Sequence, residues 1–120
     1  MDPPHILVAH PLTAAAEAIA ALLAELRPHF AIRLVAPPDL DAALTDGPAP
    51  IVICAEPTLP VQERARGWIA LLPAGQDVAL VGAGDEWWVL RSPSFALVVA
   101  ALDDLLARLV RPDLLGTARG

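Results

Sequence analysis

The chain has 120 residues, a formal net charge of −6 and an apolar content of 56%, which suits one domain with a single core. All eight basic residues are arginines spread along the chain without a cluster, so we expect no nucleic-acid binding by this domain alone. Apolar runs stay below the roughly 18 residues that span a bilayer, and the start lacks a signal-peptide pattern. The composition therefore predicts a soluble, cytoplasmic protein without membrane contact.

The first half of the chain alternates short apolar blocks with segments of helical periodicity. The apolar blocks predict buried strands over residues 6–9, 32–35 and 51–55. Between them, apolar residues at helical spacing predict a helix from residue 13 to just before Pro28 and a short helix over residues 39–44. The order of the first half is therefore strand, helix, strand, helix, strand.

The second half continues this alternation and then departs from it. We expect a helix over residues 61–72 with Trp68, Ile69 and Leu72 on its inner side, then strands over 78–81 and 87–90. A last helix begins at Pro93, carries an apolar stripe, pairs Asp104 with Arg108 one turn apart, and ends before Pro112. The prediction is one domain over residues 1–112 with a loosely held tail over 113–120.

Strands that alternate with helices predict a parallel sheet covered by helices on both faces. The last two predicted strands are separated by only a few residues, whereas a parallel crossover needs about a dozen. They should therefore form an antiparallel hairpin. The expected fold is an α/β three-layer sandwich whose five-stranded sheet has the order 2-1-3-4-5 with an antiparallel last strand.

Two segments resemble the receiver domain of response regulators. Residues 6–12 (Ile-Leu-Val-Ala-His-Pro-Leu) resemble its opening strand and loop, and residues 53–60 (Ile-Cys-Ala-Glu-Pro-Thr-Leu-Pro) resemble its phosphoacceptor segment, with Glu56 at the Asp position. The resemblance implies a flavodoxin-like fold and a role in signalling. The usual acidic pair is missing, Gly82 falls where a hydroxyl is expected, and Arg91 is the nearest match to the usual Lys.

These departures remove the groups on which Mg²⁺-dependent phosphoryl transfer depends, namely metal ligands and positioned counter-charges. We therefore expect a non-catalytic pseudo-receiver without a metal or cofactor, acting through protein contacts. Glu56 would be a fixed negative charge that imitates a phosphorylated Asp, or simply a solvated acid where a strand ends. The predicted hairpin puts Arg91 at the opposite end of the sheet from Glu56, where the two cannot pair.

His10 supports an alternative function. A His directly after the first strand, with a helix starting soon afterwards, resembles the phosphohistidine position of mannose-type phosphotransferase A domains. That resemblance implies a small phosphocarrier in which His10 is the nucleophile. The glycine-rich segment of that family is replaced here by residues 56–60, whose Glu56 would repel a phosphoryl group.

Trp87 and Trp88 are the candidate contact residues. Adjacent residues of a strand point to opposite faces of the sheet, so at most one of the two can pack under a given helix layer. An exposed Trp on an edge strand is a favoured anchor for protein association. We expect a protein partner, with a homodimer through this edge strand or the last helix as the leading possibility. Cys54 should be a buried, unreactive thiol.

Overall fold

The computed structural model describes residues 4–71, 78–84, 86–91 and 94–110. The helix boundaries predicted at Leu72, Pro93 and Pro112 and the tail over 113–120 lie outside these residues. The elements in chain order are β1 (His5–Ala9), α1 (Thr13–Leu26), β2 (Ala31–Leu34), a 3-10 turn (Pro37–Asp39), α2 (Leu40–Leu44), β3 (Ile51–Cys54), α3 (Leu59–Arg64), β4 (Gly67–Leu71), β5 (Val78–Ala83), β6 (Glu86–Arg91) and α4 (Phe95–Val110). None of the helices in this part of the chain combines the length and apolar character needed to cross a bilayer.

The strands form one mixed sheet in the order β2-β1-β3-β4-β5-β6. Strands β1 to β4 are parallel, whereas β5 runs antiparallel to β4 and β6 runs antiparallel to β5. The predicted α/β class and the antiparallel hairpin near the end of the sheet are confirmed. The predicted count of five strands and the order 2-1-3-4-5 are wrong, because one more strand lies between the third and fourth strands of that prediction.

The additional strand is β4, which occupies part of the segment predicted as a helix over 61–72. Helix α3 ends at Arg64, and Gly67–Leu71 then pairs in parallel with β3, with Gly67 opposite Ile51 and Ala70 opposite Cys54. Gly67 to Ala70 are all buried, as expected for a strand that has neighbours on both sides and is covered on both faces. A short apolar run does not by itself distinguish such a strand from a buried helix.

Helices cover both faces of the sheet. On one face, called the α1/α4 face, α1 and α4 contribute Leu23, Leu102 and Leu105 to a core that includes Ile53 and Val81 of the sheet. On the other face, called the α2/α3 face, the shorter helices contribute Leu40, Leu44 and Val61 to a second core with Val52 and Trp68. The α2/α3 core is centred on β1, β3 and β4, with Leu80 of β5 at its margin.

The two helices of the α1/α4 face are also joined by a charged pair. The guanidinium of Arg27, at the end of α1, donates two hydrogen bonds to the carboxylate of Asp103 in α4, with Nε 3.1 Å from Oδ1. The hydrogen bond and the charge of Asp103 raise the pKa of Arg27. This two-point contact fixes the orientation of α1 relative to α4.

Gly82 of β5 is required by the ring of Trp68. Trp68 and Gly82 are directly opposite each other across the β4–β5 pair, and the indole lies over the glycine. A Cβ atom at position 82 would lie 2.2 Å from Cε2 and Cζ2 of the Trp68 ring. Because Gly82 has no side chain, Trp68 can pack over it at the margin of the α2/α3 core, where Trp68 is buried and only 7% exposed.

We expect Gly82→Ala to lower the free energy of unfolding by about 1–3 kcal/mol, the usual cost of forcing extra volume into a packed site. In an open strand the same change would be neutral or stabilising, because glycine costs backbone entropy on folding. Denaturant unfolding of the wild type, Gly82→Ala, Trp68→Leu and the double variant measures the coupling between the two positions. The cost of Gly82→Ala should shrink in the Trp68→Leu background, and an equal cost in both backgrounds would disprove the contact.

Candidate functional site

His10 and Glu56 lie at the carboxyl edge of the parallel strands. His10 directly follows β1, and Glu56 is the second residue after the end of β3. Strands β1 and β3 are neighbours in the sheet. The side chain of Glu56 is exposed, and its backbone carbonyl accepts a hydrogen bond from the N–H of Thr58 at 3.0 Å, which closes the turn before α3. This edge of a parallel sheet is where α/β proteins usually bind ligands.

Cys54 is the last residue of β3 and is buried. Burial raises the pKa of the Cys54 thiol to about 12, whereas a hydrogen bond from the backbone of Glu56 lowers it and the Glu56 charge raises it. The thiolate is therefore disfavoured, so this cysteine is a poor nucleophile. Glu56 acts on Cys54 through both its backbone and its charge.

His10 is half-buried in a cleft of about 230 Å³ between the start of α1 and the end of β2, together with Thr13, Glu17 and Pro37. Its Nδ1 accepts a hydrogen bond from the backbone N–H of Leu12 at 3.1 Å. In the neutral ring the proton is then on Nε2. Nδ1 is thus engaged as an acceptor, and the Glu17 carboxylate adds negative charge to the cleft.

The structure corrects the predicted positions of Gly82 and Arg91. Because β4 is an additional strand, both hairpin strands have the opposite direction from the one expected. Gly82 is therefore buried inside β5 near the amino ends of the parallel strands, not at the carboxyl edge beside Glu56. Arg91 is at the same end of the sheet as Glu56, but three strand spacings away, about 14 Å.

The part of the chain that the structure describes has no group of three His, Cys, Asp or Glu residues placed to hold a metal ion. The predicted site residues fall into two separate groups. His10 and Glu56 are at the carboxyl edge, whereas Trp87, Trp88 and Arg91 are on β6, the strand at the far edge of the sheet.

Trp88 points to the α1/α4 face and packs under α4. The guanidinium carbon of Arg108 lies 4.5 Å from the centre of the Trp88 ring. Arg108 also contacts Glu86 on β6, with Nη1 3.3 Å from Oε2, and Asp104 on α4, with Nε 3.3 Å from Oδ2. The predicted pairing of Asp104 with Arg108 is thus confirmed. Since Arg108 is partly exposed, its contact with Trp88 is expected to contribute roughly 0.5–1 kcal/mol.

Trp87 points to the opposite face, where the hairpin has no helix packed on it among the described residues. Trp87 is 64% exposed and Val89 is 44% exposed. Both share this face with Arg91, which is also exposed, and with Leu80 and Val78 of β5, which are half-buried. We call this surface the open face and define it by five residues, Val78, Leu80, Trp87, Val89 and Arg91.

Four of the five residues of the open face are apolar, and they lie on both strands of the hairpin. Leu80 is directly opposite Val89 in the β5–β6 pair, and Trp87 is opposite Gly82. Other large exposed apolar side chains, such as Leu22 on α1 and Leu97 on α4, are on different elements. Scattered apolar residues are normal on protein surfaces, whereas a cluster at a sheet edge indicates a contact site.

The sequence predicted Leu80 and Val89 only as strand residues, and it predicted Arg108 as the partner of Asp104 but not as a contact of Trp88. Side chains alternate between the two faces along each strand of a hairpin. A hairpin over residues 78–91 with its two-residue turn at 84–85 would therefore place Leu80 opposite Val89 and on the same face as Trp87. The position of α4 decides which face of the hairpin is covered, and no local pattern gives that position.

No protein-family model, curated protein or solved structure matches this chain significantly. The function must therefore be argued from the chain's own residues, and the two groups described above are the candidates.

Because burial raises the pKa of the Cys54 thiol, we expect the folded protein to lose stability at alkaline pH. The folded protein holds the thiol proton up to about pH 12, whereas the unfolded chain releases it near pH 9. The contribution of Cys54 to the free energy of unfolding should therefore be constant well below pH 9 and fall by about 2–3 kcal/mol by pH 11. The chain has no Lys or Tyr, so few other side chains titrate in this range.

Urea unfolding at several pH values measures this effect, and Cys54→Ala is the control. The variant should lose most of the decline between pH 9 and pH 11. An equal decline in the wild type and in Cys54→Ala would show that Cys54 is not the group responsible.

Proposed function

We propose that this chain is a non-catalytic, receiver-like protein-interaction domain whose contact surface is the open face together with the outer edge of β6. The observation that carries the proposal is the 64% exposure of Trp87 beside Val89, on a face that no helix of the described part of the chain covers. Burying a Trp side chain on association stabilises a complex more than burying most other residues. In the described part of the chain no strand lies beyond β6, so the backbone along its outer edge can bond to a partner strand.

The receiver-like part of the proposal is supported by the parallel order β2-β1-β3-β4 and by the position of Glu56. The exposed carboxylate follows a buried strand at the carboxyl edge, where a partner could contact it as a fixed charge. The missing acidic pair and the distance of Arg91 from Glu56 favour a role in binding over phosphoryl transfer. Glu56 is therefore a second candidate contact, separate from the open face.

The phosphocarrier alternative, with His10 as nucleophile, is less well supported. The hydrogen bond from Leu12 to Nδ1 engages one ring nitrogen, and among the described residues the cleft is lined by Glu17 and by no Arg. A phosphorylated imidazole would need positive charge or free backbone N–H groups around it. We therefore favour protein association over phosphoryl transfer as the function of this chain.

Photo-crosslinking in cells tests the proposal. Trp87 is replaced with p-benzoylphenylalanine, an aromatic residue of comparable size, and Leu97, which is 43% exposed on α4, is replaced in the same way as a control. Irradiation should give a protein adduct with the probe at position 87 and none at position 97, because only the open face is in contact with another protein.

Failure to form an adduct at position 87, or equal adducts at both positions, would argue against the open face as the contact surface. Incubation with acetyl phosphate and Mg²⁺ tests the non-catalytic part separately. Phosphate incorporation that disappears in His10→Ala would favour the phosphocarrier instead.

A further inference from the structure

The sheet has two outer edges, and their strands differ in length and in apolar content. The edge strand β2 has four residues, includes Arg33, and is flanked by Pro28 and Pro37. Short length, charge and nearby prolines are the usual means of preventing association at an edge. Strand β6 has six residues, and its four central residues, 87–90, are all apolar. No strand of the described residues pairs with the outer edge of β6, and this edge is therefore suited to receive another strand.

Strand β6 carries an exposed aromatic ring and a cation on the same face. Trp87 is near its beginning and Arg91 is at its end, and both belong to the open face, whereas Glu86 points to the α1/α4 face and is bound there by Arg108. When two copies of such a strand pair antiparallel, the Trp87 end of each lies beside the Arg91 end of the other. A parallel arrangement would place the two Arg91 side chains together, which is unfavourable.

We infer that two copies of this chain associate through antiparallel pairing of their β6 strands, which joins the two six-stranded sheets into one. This inference rests on the proposed function and specifies its partner as a second copy. Two-fold symmetry makes the contact the same on both copies and closes it as a dimer. The open faces of the two copies then lie side by side on the same surface of the joined sheet.

Symmetry and side-chain direction restrict the register. Side chains directly opposite each other in an antiparallel pair lie on the same face of the sheet. In a symmetric dimer, one residue of β6 must therefore lie on the two-fold axis, directly opposite the same residue of the second copy. With Val89 opposite Val89 of the second copy, Trp87 lies opposite Arg91 of that copy, and Trp88 lies opposite Leu90.

The alternative register with Trp88 on the axis is less favourable. It would place Glu86 opposite Leu90 of the second copy and leave Arg91 beyond the paired residues. With Val89 on the axis, Arg91 can lie over the face of Trp87 from the other copy, a cation–π contact that forms twice in the dimer. Arg91 makes no ion pair with another described residue that this contact would have to break.

In the register with Val89 on the axis, a charged residue at position 89 lies directly opposite the same charged residue of the second copy. Val89→Lys and Val89→Glu should each weaken dimerisation by at least tenfold, since like charges in direct contact are strongly unfavourable. An equimolar mixture of the two variants should dimerise again, because Lys and Glu are then opposite each other. Leu34→Lys, which puts the same charge on the exposed face of the other edge strand, is the matched control.

Sedimentation equilibrium over a range of concentrations measures these masses. The wild type and Leu34→Lys should reach twice the chain mass of 12.6 kDa, the two Val89 variants should remain monomers at the same concentrations, and their mixture should recover the dimer. Recovery in the mixture also shows that both variants are folded, and circular dichroism checks each one alone.

A wild type that stays monomeric at all concentrations would refute the inference, as would a mixture that does not associate. Crosslinking distinguishes this failure from failure of the proposed function. A monomeric wild type whose position 87 crosslinks to a different protein would leave the open face as the contact surface and remove only the second copy as its partner. A monomeric wild type that gives no adduct at position 87 would refute both this inference and the proposed function.

Discussion

The arrangement of this domain depends on the contact between the ring of Trp68 and the bare backbone of Gly82. The indole closes the α2/α3 core at β4 and β5, so the short helices α2 and α3 need not extend farther across the sheet. On the other face the longer α4 covers the hairpin as far as Trp88. Among the described residues, the hairpin is thus covered by a helix on one side only, and Trp87 is on the other side.

The change from parallel to antiparallel pairing between β4 and β5 separates the two groups of candidate residues. The parallel strands bring His10 and Glu56 to one edge, as in other α/β sheets. The hairpin then places its apolar residues on an outer strand, away from that edge. Glu56 and Arg91 are not neighbours, because three strand spacings lie between them. Association through the hairpin needs neither of the carboxyl-edge residues.

The sequence predicted the elements whose pattern is local. The strand around residues 6–9, the helix that begins at residue 13 and the antiparallel hairpin follow from apolar blocks, helical spacing and loop length. Strand β4 could not be predicted in this way, because Trp68 and Ile69 suit a buried helix as well as a buried strand. Pairing with β3 decides between them, and that is a tertiary effect. Missing one strand reversed the expected directions of the next two, which misplaced Gly82 and Arg91. Alternation did separate Trp87 from Trp88, but only the position of α4 shows which of them is exposed.

Amide hydrogen exchange of residues 86–91, followed by NMR at low and high protein concentration, tests the pairing of β6 most directly. Amides that point to the outer edge of β6 should exchange rapidly in dilute solution and become protected as the concentration rises, because the second copy then accepts their hydrogen bonds. The outer amides of β2 provide the internal control and should exchange at the same rate at both concentrations. Protection of β6 that does not change with concentration, or a change at β2 in place of β6, would contradict the account.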